Sequence, residues 1–271
     1  MQLAVSAIAW PAGTEREAFD LLSEHRITNL EYVPARINDA DSLNARLHPY
    51  GLKLVALQAL LYGTKGLALF QTPDARSALD RHLRSICVLA GQCGCRALVF
   101  GSPKNRRYDP ARISPAAANL LAVDFFHDLG EFARAHGTLI CLEPNPMAYG
   151  GNFLTGTLET ADFVRRTGSP GISLNLDAGA LMMNNEPPSQ IWHNVCDMVG
   201  HVHLSTPFLK PPDNNSRPVH AELLQAMRRT GYAGAISLEM AAPDGIDWRT
   251  PLQRALTHIA EVFNLETAGD D

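Results

Sequence analysis

The sequence lacks the long apolar run that a membrane helix requires. No stretch approaches the roughly 18 to 20 consecutive apolar residues of a spanning helix, so no membrane span is predicted. The opening residues, MQLAVSAIAWPAGTERE, also lack the basic start and longer apolar stretch of a secretory signal peptide. We therefore interpret them as the start of the mature sequence.

Cysteine pairs with the spacing of a metal or redox motif are missing as well. The five cysteines are odd in number, and none of them forms a CxxC motif. This pattern fits reduced thiols and predicts a cytoplasmic protein. Cys93 and Cys95 lie at a predicted helix end, where a packing role is favoured over redox chemistry.

An excess of basic charge is absent too. Lys and Arg number 23 against 28 Asp and Glu, which gives a net charge of −5. Nucleic-acid-binding surfaces normally need a concentrated positive field, so no nucleic-acid partner is predicted. The hydrophobic content of 46% supports one sizeable core, and the length of 271 residues is close to that of one eightfold β/α barrel.

Short apolar segments alternate with helical segments along the whole sequence. The predicted strands are 3–10, 29–35, 52–61, 97–101, 138–143, 172–179, 199–206 and 234–240. Helices are predicted between them, including one from about Ser189 to Met198 and one from about Val219 to Thr230. The alternation predicts an α/β fold, a single-domain (β/α)8 TIM barrel over residues 1–264 with a loose polar tail at 265–271. An open doubly wound sheet is the alternative.

Four consecutive predicted strands each deliver a residue of metal-ligand type. The segment TLICLE ends in Glu143 and is stopped by Pro-Asn-Pro, and the next strands carry Asp177, His203 and Glu239 near their ends. In a closed parallel barrel these strand ends lie side by side on the ligand-binding face. The pattern predicts a metal site, and the alternative is ordinary strand-end polar residues paired with helix-borne arginines.

The predicted ligand set also limits the choice of ion. Three carboxylates and one imidazole suit a hard or borderline divalent cation, Mn²⁺ above all, with Mg²⁺, Co²⁺ or Zn²⁺ as alternatives. Without a cation the three carboxylates would repel one another and their pKa values would rise. One divalent ion is therefore the expected cofactor.

The motifs LEPN, LDAG, HVHLS and SLEM resemble the metal-binding strand ends of the xylose-isomerase-like barrels, in the sugar phosphate isomerase/epimerase family. That family includes D-tagatose 3-epimerase-like enzymes. The resemblance covers nearly the whole chain and implies that Glu143, Asp177, His203 and Glu239 bind one metal. It further implies that Glu143 and Glu239 form an acid/base pair, that Arg217 holds substrate oxygens, and that the protein self-associates.

The sequence departs from the epimerase pattern at three places. Ala180 stands where the epimerases usually place a histidine, and Tyr149 stands where they often place a glutamate. The glycine-rich loop expected after Arg217 is shortened to Pro218-Val219-His220. These departures predict a pocket unlike that of the free-ketose epimerases. His220 either takes over a polar contact to the substrate or lies on the surface at a helix start.

Other residues are candidates for substrate contacts. His201 points the same way as His203 but one layer deeper, and is expected to hydrogen-bond to a ligand rather than bind the metal. Lys104, Arg106 and Arg107 either bind a carboxylate or phosphate of the substrate or form a solvated loop. Further pocket candidates are Trp10, Gln58 and Tyr149.

This site predicts proton transfer on a small carbohydrate through a metal-bound enediolate. Epimerisation, aldose–ketose isomerisation and dehydration of a keto-polyol share such a site, and an isomerase or epimerase is our first choice. An apurinic-site endonuclease is disfavoured by Ala180 and by the acidic charge. A non-catalytic metal-bearing barrel is disfavoured because both Glu143 and Glu239 are present.

Overall fold

A computed structural model describes residues 1–242 and 247–265. Eight parallel strands pair in sequence order and close into a barrel, because β1 pairs with both β2 and β8. The strands are β1 (Gln2–Ser6), β2 (Asn29–Tyr32), β3 (Lys53–Leu57), β4 (Ala97–Phe100), β5 (Leu139–Leu142), β6 (Ile172–Asp177), β7 (Val199–Leu204) and β8 (Ala235–Leu238). The predicted (β/α)8 barrel is confirmed.

Helices surround the barrel and bury one continuous apolar core against it. They are α1 (Glu15–Glu24), α2 (Ala40–Leu47), α3 (Pro73–Gln92), α4 (Pro115–Ala135), α5 (Thr157–Thr167), α6 (Ala178–Asn184), α7 (Pro188–Val195), α8 (Arg217–Arg229) and α9 (Arg249–Leu265). Within the described ranges, none of these helices has the length and apolarity needed to cross a bilayer. The predicted loose tail at 265–271 begins at the last residue of α9 and otherwise lies outside the described residues.

The first strand is shorter than predicted. It ends at Ser6 rather than at Trp10, because a 3-10 turn over Ala7–Ala9 follows at once. The Ser6 hydroxyl accepts a hydrogen bond from the Ile8 N–H at 3.5 Å, at the start of this turn. Apolar residues continue through the turn, so the sequence pattern alone did not mark the end of the strand.

The helix after Asp177 begins much earlier than predicted. Helix α6 starts at Ala178, and Asp177 is its N-cap, since its Oδ1 accepts the Ala180 N–H at 2.5 Å. The helix stops at Asn185, whose φ of 54° is left-handed. A helix of only two turns carries a weak periodic signal, which explains why the sequence indicated only the later helix, α7.

Strand register brings the ends of β5 to β8 to one level. Asp177 pairs with His203, and His203 pairs with Ser237. Glu143 and Glu239 lie one residue past their strands but keep a ladder bond, because their N–H groups donate to Phe100 and Leu204 carbonyls at 3.2 Å. The four predicted ligands are therefore fixed by main-chain hydrogen bonding rather than by mobile loops.

Candidate metal centre

His203 lies at the middle of a cluster formed with Glu143, Asp177 and Glu239. Its Nδ1 atom is 3.1 Å from a carboxylate oxygen of Glu143, 3.1 Å from one of Glu239 and 4.0 Å from one of Asp177. One ligand atom from each of the four residues lies within 4.8 Å of all the others. We call these residues the four-residue cluster. Their side chains are oriented so that one divalent ion would reach all of them.

Asp177 is held from two sides. The backbone N–H of Ala180 donates to Oδ1, and the Ser205 hydroxyl donates to Oδ2. Ser205 is fixed in turn, because its Oγ accepts the N–H of Gly179 at 2.9 Å. The carboxylate is thus oriented by the start of α6 and the end of β7 together.

Glu143 is oriented by two asparagines. Asn145 donates to Oε2 at 2.9 Å, and Asn175 donates to Oε1 at 2.8 Å. Gly101 lies against the same carboxylate, and a Cβ atom there would collide with Oε2. The guanidinium of Arg106 donates to the Glu143 backbone carbonyl at 2.5 Å. The loops after β4 and β5 and strand β6 therefore fix the position of Glu143.

Glu31 of β2 contacts the opposite edge of the His203 ring. Its Oε1 atom is 3.0 Å from His203 Nε2, and both side chains are fully buried. A proton on Nε2 donated to Glu31 leaves Nδ1 to face the three other carboxylates and to bind a metal. His201 stands beside this pair, with Nε2 2.9 Å from Ser237 Oγ and 3.7 Å from Glu31 Oε1.

The electrostatics of the cluster match a site built for a cation. Burial, together with the charges of Glu143 and Glu239, raises the pKa of Asp177 to about 8. Burial alone would lower the pKa of His203, but Glu239 and Glu31 raise it well above its usual value. A divalent ion would remove this repulsion among the carboxylates, and the oxygen-rich donor set fits a hard or borderline metal. The residues present therefore fit the expected cofactor.

Metal binding is expected to release protons from this cluster. In the metal-free chain Asp177 is protonated below a pH of about 8, and His203 also holds its proton above its usual pKa. A metal ion needs both groups deprotonated, so its affinity should fall as the pH drops below about 8, by up to ~10-fold per pH unit for each proton displaced. Calorimetric titration with Mn²⁺ in two buffers of different ionisation enthalpy measures the protons released. A pH-independent affinity would contradict this expectation.

Glu31 is expected to strengthen metal binding through His203. Glu31→Gln keeps the size of the side chain but removes the charge that faces Nε2, and losses of this type typically weaken metal affinity ~10–100-fold. Mn²⁺ affinity measured by calorimetry tests this expectation. Glu131→Gln on α4, whose carboxylate accepts from Ser169 at 2.7 Å, is the matched control. Equal affinity in Glu31→Gln and the control would exclude the role.

Tyr149 lies over the four-residue cluster. Burial raises the pKa of its phenol, and the charges of Asp177, Glu239 and Glu143 act in the same direction. The hydroxyl accepts the Phe208 N–H at 2.9 Å, and the two rings meet edge to face with centroids 5.6 Å apart. Tyr149 is therefore a neutral phenol that bridges the loops after β5 and β7.

The other residues predicted to contact the substrate or line its pocket lie on separate elements of the barrel. His220 is buried in α8, and its Nε2 is 2.9 Å from the Ser205 carbonyl, so it lies at the helix start but not on the surface. Arg217 points to α9, where it pairs with Glu261 at 2.5 Å. Gln58 is buried and donates to the Ser6 hydroxyl. Trp10 is buried and packs against the rings of Phe19 and Trp248.

The three basic residues of the loop after β4 differ in their exposure to solvent. Arg106 is fully buried beneath Glu143, and burial lowers the pKa of its guanidinium to about 10. Lys104 and Arg107 are exposed. Sequence reasoning grouped the three because they are close in the chain, and it did not resolve which of them faces inward.

Several residues that shape the site were not assigned from the sequence, and each had a weak signal. Asn175 is two residues before Asp177, on the same face of β6, and Asn145 is part of the LEPNP motif. Ser205 is the first residue after β7. Glu31 lies within the predicted strand 29–35, but nothing near it in the sequence indicates its partner.

Residues 17–262 match the sequence profile of the xylose isomerase-like TIM barrel family. The chain belongs to this family. No curated protein matches the sequence.

Solved structures of related barrels overlay most of the chain. The D-psicose 3-epimerase of Clostridium cellulolyticum H10 is 15% identical with a TM-score of 0.79, covering 99% of each chain. A 3-keto-D-glucoside 4-epimerase from E. coli is 16% identical with a TM-score of 0.79, covering 97% of this chain and 99% of its own. A family 2 AP endonuclease from Brucella melitensis is 20% identical with a TM-score of 0.71, covering 90% of this chain and 95% of its own. At these identities the likeness establishes the shared fold.

Proposed function

We propose that the protein is a divalent-metal-dependent isomerase or epimerase that moves a proton on a sugar or sugar-like polyol. The observation that carries the proposal is the placement of Glu143 and Glu239, each 3.1 Å from the same nitrogen of His203. Asp177 completes a donor set that would hold one metal, for which we propose Mn²⁺. The sugar epimerases among the similar structures support this reading.

The bound metal would act as a Lewis acid that makes the C–H next to a substrate carbonyl more acidic. The protein's own contribution is to place two carboxylates beside that carbon. Glu143 and Glu239 approach the cluster from β5 and β8, with β6 and β7 between them on one side of the barrel. One can remove the proton while the other returns a proton to the enediolate. Return to the opposite face of the same carbon gives epimerisation, and return to the neighbouring carbon gives isomerisation.

The environments of the two glutamates favour different protonation states. Burial opposes ionisation of Glu143, but His203 and Asn145 lower its pKa below the usual value. Burial raises the pKa of Glu239, and His203 only partly offsets this. A carboxylate and a carboxylic acid held apart in this way are what a base and an acid require. We therefore propose Glu143 and Glu239 as the acid/base pair, with Glu143 the more readily ionised of the two in the metal-free chain.

Tyr149 and Ala180 stand where the free-ketose epimerases usually have a glutamate and a histidine. We propose that the substrate contacts at these two positions therefore differ from those of the free-ketose epimerases. Ala180 has only a methyl side chain and its backbone N–H is used by Asp177, so this position supplies no polar side-chain group to the substrate. Tyr149 offers a neutral hydroxyl over the cluster. We propose that this phenol, rather than a carboxylate, contacts a substrate oxygen.

Solvent exchange tests the proposed function. Protein stripped with chelator and reloaded with Mn²⁺ is incubated in D₂O with a panel of ketoses, ketose phosphates and keto-acids. Deuterium is expected at the carbon next to the carbonyl in the product and in returned substrate, detected by NMR, and only with metal present. A product without solvent deuterium would indicate hydride transfer between carbons. Cleavage of an abasic-site DNA duplex would indicate a nuclease instead.

A further inference from the structure

A cavity of about 620 Å³ lies beside the loop that follows β4. Its wall includes Lys104, Arg107, Tyr108, Arg112, Gly150 and Gly151. We call it the β4 loop pocket. It opens at the carboxyl-end face of the barrel, because its walls come from the segments that follow β4 and β5.

Hydrogen bonds between neighbouring loops hold the wall of the β4 loop pocket in place. Asn105 donates to the Leu67 carbonyl at 2.7 Å, and its own carbonyl accepts the Leu69 N–H at 2.8 Å. Asn152 exchanges two hydrogen bonds with the backbone of Tyr108, at 2.9 and 3.1 Å. These bonds fix the loop after β4 to the loops on both sides. The pocket is therefore formed before any ligand arrives, which lowers the cost of binding.

Its charge is positive in a chain that is acidic overall. The three cations Lys104, Arg107 and Arg112 face a single wall carboxylate, Asp109. Arg112 lies 3.5 Å from Asp109, and both side chains are largely exposed to solvent. Within the part of the chain that the structure describes, Lys104 and Arg107 have no hydrogen-bond or ion-pair partner. Two unpaired cations beside a preformed cavity are suited to an anionic group.

The pocket also shares a wall with the candidate metal centre. The segment 147–151 follows Glu143 closely, and Met147, Gly150 and Gly151 line the β4 loop pocket. Tyr149, in the same turn, faces the opposite way, toward Phe208 and the carboxylates of the cluster. The β4 loop pocket and the candidate metal centre therefore lie on the two sides of this one turn.

We propose that the β4 loop pocket binds a phosphate or carboxylate group carried by the substrate. Lys104 and Arg107 are its primary contacts, and Arg112 adds positive charge at the rim. Arg106 is not part of the pocket, because it is buried and donates to the Glu143 carbonyl. The inference rests on the proposed function and narrows it: the substrate is a sugar phosphate or a sugar acid rather than a neutral sugar.

Inorganic phosphate is the first probe, measured by calorimetry on metal-free protein at low salt. The wild-type chain is expected to bind one phosphate, and the Lys104→Ala/Arg107→Ala variant at least ~10-fold more weakly, since each contact is charge-assisted. Binding should also weaken in 1 M NaCl, where the screening length falls to about 3 Å. Lys53→Ala/Arg229→Ala is the matched control, because it removes one exposed Lys and one exposed Arg at the start of β3 and the end of α8.

Failure of this measurement is separate from failure of the proposed function, because phosphate binding is read without metal and without turnover. Absence of phosphate binding, or equal binding by the Lys104→Ala/Arg107→Ala variant, would overturn the proposal that the β4 loop pocket binds an anion. An equal loss of phosphate affinity in the Lys53→Ala/Arg229→Ala control would also overturn it, since phosphate binding would then depend on the net charge of the chain alone.

A second measurement identifies the source of the anion. D-fructose 6-phosphate and D-fructose are titrated into Mn²⁺-loaded wild-type protein and into the Lys104→Ala/Arg107→Ala variant. The phosphorylated sugar is expected to bind at least ~10-fold more tightly than the neutral sugar, with the gap lost in the variant. If the pocket binds inorganic phosphate but gives the phosphorylated sugar no advantage, it serves a free anion and the assignment to the substrate is wrong.

Discussion

Asp177→Asn and His203→Ala are each expected to abolish retention of the metal. Asp177→Asn keeps the size of the side chain but removes one of three carboxylate charges. His203→Ala removes the nitrogen that lies 3.1 Å from both Glu143 and Glu239. Metal content per chain, measured by elemental analysis after gel filtration, should fall from near one to near zero. Circular dichroism should show that the barrel remains folded, because strand-end residues serve the site more than the core.

The two variants differ in their expected stability. His203→Ala leaves the fully buried Glu31 without its main partner, and removing one member of a buried pair typically costs about 3–5 kcal/mol. Asp177→Asn leaves Glu31 and His203 together and should be milder. His127→Ala is the control for loss of a histidine outside the site, since His127 is exposed on α4 and its ring hydrogen-bonds to the Thr167 carbonyl at 2.8 Å. Full occupancy in Asp177→Asn or His203→Ala would exclude the proposed metal centre.

Glu143→Gln and Glu239→Gln are each expected to lower the rate of solvent exchange by at least ~10²–10⁴-fold, the usual contribution of one acid or base. Glutamine keeps the size and one coordinating oxygen, so metal content measured on the same samples separates lost chemistry from lost metal. If Glu143 is the first base, Glu143→Gln should also stop exchange into returned substrate. Glu239→Gln should lower product formation more strongly than this exchange.

Glu131→Gln again serves as the control for the substitution itself. A rate within about twofold of wild type in either Glu143→Gln or Glu239→Gln, at full metal content, would remove that residue from the acid/base pair. The metal centre would be unaffected by that result, because its test is occupancy and not turnover.

The strand ends were the part of the site that the sequence revealed most directly. Each of Glu143, Asp177 and Glu239 follows a short buried apolar run, and the parallel barrel places such ends together without further information. The alternation of strands and helices, with the length of the chain, favoured a closed barrel over an open doubly wound sheet, and the structure confirms the barrel. Both were readable because they depend on patterns within about ten residues, where burial and chain direction dictate the arrangement.

Arg217 and Glu31 show that local patterns do not predict contacts between residues far apart in the chain. The resemblance implied a substrate contact for Arg217, but the direction of its side chain depends on α9, which presents Glu261 44 residues later. Glu31 sits in the middle of a predicted strand, and the residue that justifies its burial is His203 on the other side of the barrel. Neither position could be resolved without knowing how distant elements pack.

The buried contact between Glu31 and His203 also sets an order of events during synthesis. Its two members are 172 residues apart, and at ~5–20 residues per second the ribosome adds the second roughly 10–30 seconds after the first. During that interval a carboxylate of the first half of the nascent chain lacks its native partner and favours contact with water. Because β1 pairs with β8, the barrel can close around this contact only after both β7 and β8 have left the ribosome.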